Sequence, residues 1–175
     1  MKDDDIKKFF KNATTLIHLA ANPDPAMGRK EAENNVKIAE KVISACNVSD
    51  SLNLVINASS INVYPYIDTF DVGKKINKKT PLSPNKKWGN GEYGSAKIAI
   101  EKLFEKYCRK RRISLLNLRF GCVTKDDLPL KQKDGLISLM DLEIHLKHKD
   151  LIKIIKESLD YVGINSYICV SKENG

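Results

Sequence analysis

A chain of 175 residues, 42% of them hydrophobic, has material for one sizeable core and is too short for two, so a single domain is expected. Its formal charge of +8 comes mostly from lysines spread along the whole sequence, with one cluster at Arg109-Lys110-Arg111-Arg112. That cluster falls where a helix should end, a place the helix dipole favours for cations, and no aromatic residues interleave it, so nucleic acid is not the expected partner.

The four cysteines, Cys46, Cys108, Cys122 and Cys169, are far apart and form no Cys-x-x-Cys, which predicts free thiols. The opening Met1-Lys2-Asp3-Asp4-Asp5 is acidic and has no apolar signal core, and nowhere do about eighteen apolar residues run together. No membrane association is expected, and the reading is of a reducing, cytoplasmic protein.

Ile6, Phe9 and Phe10 stand at helical spacing and predict a short amphipathic helix over Ile6 to Asn12. The period then changes. Thr14 to Ala21 is a nearly continuous apolar run, short for a helix and typical of a strand buried on both faces, and Asn22-Pro23-Asp24-Pro25 stops it. From Arg29 to Cys46, apolar residues recur at helical intervals among Lys and Glu. A second buried strand is predicted over Leu52 to Ala58, followed by the polar run Ser59-Ser60-Ile61-Asn62-Val63-Tyr64. Pro65 to Gly91 is lysine-rich and punctuated by Pro and Gly, which reads as a surface loop.

A long helix is predicted from Glu92 to Arg111, burying Ile98, Leu103, Phe104 and Tyr107 or their neighbours, with a strand over Ser114 to Phe120 after it. Strand, helix, strand, helix, strand is a parallel doubly wound pattern. Beyond Gly121 the signal weakens, until Asp150 to Leu159 reads as a short helix and Tyr167 to Val170 as a last strand. The predicted fold is α/β, a partial doubly wound, Rossmann-like parallel sheet with helices on both faces.

Within the long helix, Tyr93 and Lys97 are four residues apart and therefore lie on one face. A cation beside a phenol favours the phenolate, lowering a pKa of about 10 towards the range where Tyr exchanges a proton with an alcohol. In doubly wound sheets ligands bind at the carboxyl ends of the strands, so Ala20, Ala21, Ser59, Ser60 and Gly121 should share a rim with this pair. His145 and His148 are three apart, but no third ligand has suitable spacing. No metal is expected, and a solvated helix start is the reading for both.

The combination resembles the extended short-chain dehydrogenase/reductases, the NAD-dependent epimerase/dehydratase family. It is carried by His18-Leu19-Ala20-Ala21, Asn35, Ser59-Ser60-Ile61-Asn62-Val63-Tyr64, Tyr93-Gly94-Ser95-Ala96-Lys97 and Leu118-Arg119-Phe120-Gly121, in the family's order. Within the family the chain looks most like the uronate dehydrogenase branch, through Leu118 to Cys122 and a closing segment from His148-Lys149-Asp150-Leu151 to Cys169-Val170-Ser171.

By this resemblance Tyr93 is the general acid/base, Lys97 holds the nicotinamide ribose and lowers the Tyr93 pKa, and Ser60 bonds the substrate oxygen, with Ser59 as the fallback. Leu19, Ala20, Ala21, Asn35 and Gly121 join Tyr93 and Lys97 on the cofactor side, Asn35 by bracing the strand below the site. Ser60, Asn62 and Cys122 face the substrate. The implied activity is NAD-dependent oxidation, epimerisation or dehydration of a sugar, uronate or nucleotide-sugar, with NADP also open as cofactor. The implied assembly is a homodimer built on the helices Arg29–Cys46 and Glu92–Arg111, with Val42 or Phe104 facing the partner.

The sequence departs from the family pattern at the cofactor. It contains no G-x-x-G-x-x-G, the turn that brings a pyrophosphate to a helix N-terminus. Ile38-Ala39 stands where a small Gly-Thr pair is usual, and no arginine between Thr124 and His145 matches the one that takes a carboxylate in uronate dehydrogenases. The expectation is a single N-terminally truncated NAD(P)-binding domain over residues 1–175, which alone binds NAD weakly or not at all. Either the missing half comes from another polypeptide or a neighbouring reading frame, or the chain self-associates, or it is a decayed or partial gene product. The alternative function is an inactive partial homologue serving as an interaction or scaffold subunit.

Overall fold

The computed structural model describes residues 8–65, 76, 80–84, 91–131, 135–137 and 139–172. Four strands, β1 (Thr15–His18), β2 (Leu54–Ser60), β3 (Ser114–Phe120) and β4 (Ile164–Cys169), form one sheet. All neighbours are parallel and the order is β1-β2-β3-β4. The helices are α1 (Arg29–Cys46), α2 (Gly91–Arg111), α3 (Leu139–Ile144) and α4 (His148–Glu157), with a 3-10 turn at Ile61–Val63. Of the helix expected over Ile6 to Asn12, residues 8–10 are helical and residues 1–7 lie outside the described residues. Most of the expected loop from Pro65 to Gly91 lies outside them too.

Leu54–Ile56 of β2 and Leu115, Leu116 and Leu118 of β3 send apolar side chains to both faces of the sheet, and both faces are covered. Val55 and Leu115 pack with Leu16, Ala39, Ile100, Phe104 and Cys108 beneath α1 and α2. Leu54, Ile56, Leu116 and Leu118 turn the other way and pack with Leu146, Cys169, Leu151, Ile154 and Ile155 beneath α4. Full burial of each such side chain is worth about 1.5–3 kcal/mol, so the two β strands at the centre anchor the domain. This is the doubly wound, Rossmann-like arrangement expected from the sequence.

Several boundaries move. The first strand is Thr15–His18 because its ladder with β2 ends at the His18–Asn57 pair, and Leu19 beyond it is 65% exposed. Ser59 and Ser60 belong to β2 instead of following it, since β3 continues opposite them with Arg119 and Phe120. The helix α3 is not legible in the sequence. Phe104 faces the core, wholly buried with its ring 5.0 Å from that of His18, so it is no partner-facing residue. It falls on the sheet side of α2 because it continues the face begun by Tyr93, Lys97 and Glu101. Val42 packs half-buried against the same core.

All four cysteines are free. Burial pushes the thiols of Cys46 and Cys169 up to about 11 and that of Cys108 to about 12. They are packing residues, inert as nucleophiles at neutral pH. The arginine cluster does end a helix: Arg109 pairs with Glu105 at 2.7 Å, and Arg111 donates to the Ser49 carbonyl at 2.7 Å. No described helix is long and apolar enough to cross a membrane.

Candidate active site

Along β2 the chain turns polar as it nears its carboxyl end, and α2 crosses there with matching polarity. Tyr93, Lys97 and Glu101, spaced by four, form one buried face of α2, 8%, 7% and 5% exposed respectively. Three consecutive strand residues receive them. The Ser60 side chain neighbours the Tyr93 phenol and favours its ionised form. Lys97 Nζ donates to the Ala58 carbonyl at 2.7 Å, and Ser59 Oγ donates to Glu101 Oε1 at 2.5 Å.

Ser60 has a second task, because its Oγ accepts from the Asn62 amide at 3.1 Å and so opens the 3-10 turn. The turn is pressed against α2. A Cβ on Gly94 would lie 2.2 Å from the Asn62 carbonyl oxygen and 2.5 Å from Pro84 Cβ, so only glycine permits this approach. Tyr93 and Ser60 are thus brought together by backbone contact.

The electrostatics differ from the sequence expectation. Burial pushes the Tyr93 phenol up, and the neighbouring Ser60 side chain only partly opposes this. The cation itself pays in solvation: burial drags Lys97 from its ordinary 10.5 to about 8, against the pull of Glu101. Lys97 lies 5.5 Å from the centre of the Tyr93 ring. Both groups therefore sit in a dry environment where added charge or a hydrogen-bonding ligand would shift them strongly.

The other expected residues fall as follows. Leu19 and Ala20 are exposed and Ala21 half-buried, just past the carboxyl end of β1. Asn35 is buried and clamps the loop behind them: its Oδ1 accepts from the Asn22 amide at 2.8 Å and its Nδ2 donates to the Asn22 carbonyl at 3.0 Å. Gly121 follows β3, and a Cβ there would meet the Ile144 carbonyl at 2.0 Å. Cys122 pairs with the same segment through Cys122 N to Ile144 O at 2.7 Å and Leu146 N to Cys122 O at 2.8 Å. Asn62 is half-buried in the 3-10 turn. Ser59 is spoken for by Glu101, which removes it as the fallback for Ser60.

His145 is 1% exposed in a bridge with Cys122, and His148, at the start of α4, is half-buried with its Nε2 2.8 Å from the Thr124 carbonyl oxygen, so neither is the fully solvated residue expected. Bridge formation draws His145 in. Among the described residues no cluster of three or more His, Cys, Asp or Glu could hold a metal ion.

Sequence reading missed Glu101, Arg119 as its partner, Tyr64 and His18. Arg119 carried a signal: a cation inside a strand buried on both faces demands a partner. It donates from Nε to Glu101 Oε1 at 2.9 Å, from Nη2 to Oε2 at 2.7 Å and from Nη1 to the Tyr64 hydroxyl at 2.5 Å.

The model of the family described as "NAD dependent epimerase/dehydratase family" matches residues 1–155. The chain belongs to that family. Among solved structures, it is similar to glucuronic acid dehydrogenase from Chromohalobacter salexigens, at 18% identity and TM-score 0.75, covering 98% of this chain and 58% of that one. Uronate dehydrogenase from Agrobacterium tumefaciens matches at 16% identity and TM-score 0.76, covering 99% and 60%. A UDP-N-acetylglucosamine 4-epimerase from Bacillus cereus matches at 19% and 0.73, covering 98% and 62%. At these identities the likeness is one of fold, and this family member spans about three fifths of the length of each. No curated protein matches the sequence.

Proposed function

We propose that this chain carries the acid/base half of an NAD-dependent oxidoreductase or epimerase/dehydratase acting on a sugar, uronate or nucleotide-sugar. The observation that carries the reading is the buried Lys97, bonded to the Ala58 carbonyl at 2.7 Å and 5.5 Å from the centre of the Tyr93 ring, at the carboxyl end of β2. Membership of the family and similarity to sugar-acting dehydrogenases and epimerases support it.

The residues present fit one end of the cofactor. Tyr93 and Lys97 would hold the nicotinamide ribose, and Leu19, Ala20 and Ala21, open after β1, would line the cleft. When bound, NAD supplies the hydride acceptor that makes a sugar hydroxyl oxidisable. Tyr93 accepts the hydroxyl proton at its phenolic oxygen, and Ser60 fixes the substrate oxygen by hydrogen bonding. Lys97, lowered by burial to about 8, is still largely an ammonium at neutral pH, and its charge favours the phenolate during proton transfer. Asn35 and Gly121 act through the backbone segments they position.

The pyrophosphate end is different, because the sequence offers no Gly-rich turn. Losing several charge-assisted hydrogen bonds of about 1.5–3 kcal/mol each removes orders of magnitude in affinity. Calorimetric titration with NAD and NADP tests this: the chain alone should bind weakly or not at all, and a separately expressed Gly-rich strand-turn-helix segment should restore binding. A micromolar dissociation constant for the chain alone would overturn the assignment of the phosphate site. The same reading includes a cytoplasmic homodimer, and sedimentation giving a strict monomer at micromolar concentration would overturn its quaternary part.

A further inference from the structure

The buried face of α2 does not stop at Lys97. One turn further on, Glu101 makes three hydrogen bonds that use both carboxylate oxygens, to Ser59 and twice to Arg119, and the third Arg119 nitrogen donates to Tyr64. Glu101 and Arg119 are nearly sequestered, at 5% and 8% exposure, and the guanidinium lies 5.1 Å from the centre of the Tyr64 ring.

A buried ion pair of this kind is weak evidence for stability, because apolar residues of similar volume often do as well. Its place in the fold suggests another role. Ser59, which Glu101 grips, stands between Ala58, the acceptor for Lys97, and Ser60, the neighbour of Tyr93. Fixing Ser59 fixes both of its neighbours. The groups around Lys97 are Tyr93 and Glu101 from its own helix, His18 from β1, and Arg119 from β3 beyond Glu101. His18 and Arg119 are neutral and cationic there, so Glu101 is the anion in this set.

We propose that Glu101, locked by Ser59 and Arg119, is a positioning residue of the candidate active site: it sets the Ala58–Ser60 edge against the Tyr93–Lys97 face and is the counter-charge that keeps Lys97 an ammonium. The inference rests on the reading of Tyr93 and Lys97 as acid/base machinery, and it adds a residue to them that touches neither substrate nor cofactor.

The test is heteronuclear NMR titration of the lysine side chains in the full chain, with Lys97→Arg used to assign the Lys97 signal. Glu101→Gln should move the Lys97 midpoint below the wild-type value near 8. Arg119→Gln, which removes a cation and leaves Glu101 in place, should not lower it. If Glu101→Gln fails to fold, the double variant Glu101→Gln/Arg119→Gln, which leaves no unpaired buried charge, should lower the midpoint as well. An unmoved midpoint in whichever of these folds, or equal shifts in the two single variants, would overturn the proposal and leave the pair purely structural. In an assembly competent for turnover, Glu101→Gln should also lose on the order of 100-fold in kcat, the scale of a small misplacement at the reacting centre. The titration needs no turnover, so inactivity of the wild type would count against the proposed function and not against Glu101.

Discussion

Lys97 Nζ donates to the Ala58 carbonyl at 2.7 Å, which ties the cation of the Tyr93–Lys97 pair to the edge of β2. One helix face and one strand end therefore determine each other, and the consequences for pH, packing and turnover can be measured separately.

Lys97 is held charged at a cost. Its folded pKa near 8 lies below its ordinary 10.5, so between these values the unfolded chain binds more protons and stability rises with pH; below about 8 the penalty is fully present. The shift corresponds to about 3 kcal/mol, less whatever the Ala58 bond returns. Lys97→Met should therefore unfold at higher urea than wild type at neutral pH, with the difference shrinking towards pH 10.5. Equal destabilisation at both ends of the window would contradict this.

His18 obeys the same sign. Burial, with the Lys97 charge second, lowers it from 6.5 to about 4, so the folded state keeps it neutral where the unfolded state binds a proton. Stability should fall as the pH drops through that window, by about 3 kcal/mol at most. His18→Gln should flatten this part of the urea-midpoint profile whatever it does to the absolute midpoint. An unchanged slope would show that His18 takes no part.

Gly94 and Gly28 make a matched pair. An added Cβ at Gly94 meets backbone oxygen at 2.2 Å, whereas at Gly28 it meets only the far end of the Glu31 side chain, at 3.0 Å. Gly94→Ala should cost about 1–3 kcal/mol and Gly28→Ala should be close to neutral. Thermal unfolding of the two variants checks it; equal midpoints would mean that the 3-10 turn yields without cost.

Much of the frame was legible because its signals are local. The apolar run Leu54–Ile56 and the cluster Leu115, Leu116 and Leu118 stand out in the sequence, and the four-residue spacing of Tyr93 and Lys97 marks a face without any knowledge of what lies opposite. What opposes that face was not legible. Arg119 and Glu101 are eighteen residues apart in sequence and meet only when α2 folds back over β3. The direction of the Tyr93 shift was missed for a related reason: spacing reveals a nearby cation, while desolvation depends on how much of the chain closes around the phenol. Residues 139–144 form a helix too short for periodicity to register.

The account centres on Tyr93 as the group that exchanges the substrate proton. The most direct test is turnover of uronic acids and nucleotide-sugars with NAD, followed by NADH absorbance or product analysis, for wild type and Tyr93→Phe in the same cofactor-competent assembly. Tyr93→Phe keeps the ring and its packing and should lower kcat by about 100-fold or more while the thermal midpoint stays near that of wild type. Turnover unchanged in a folded Tyr93→Phe protein would contradict the assignment.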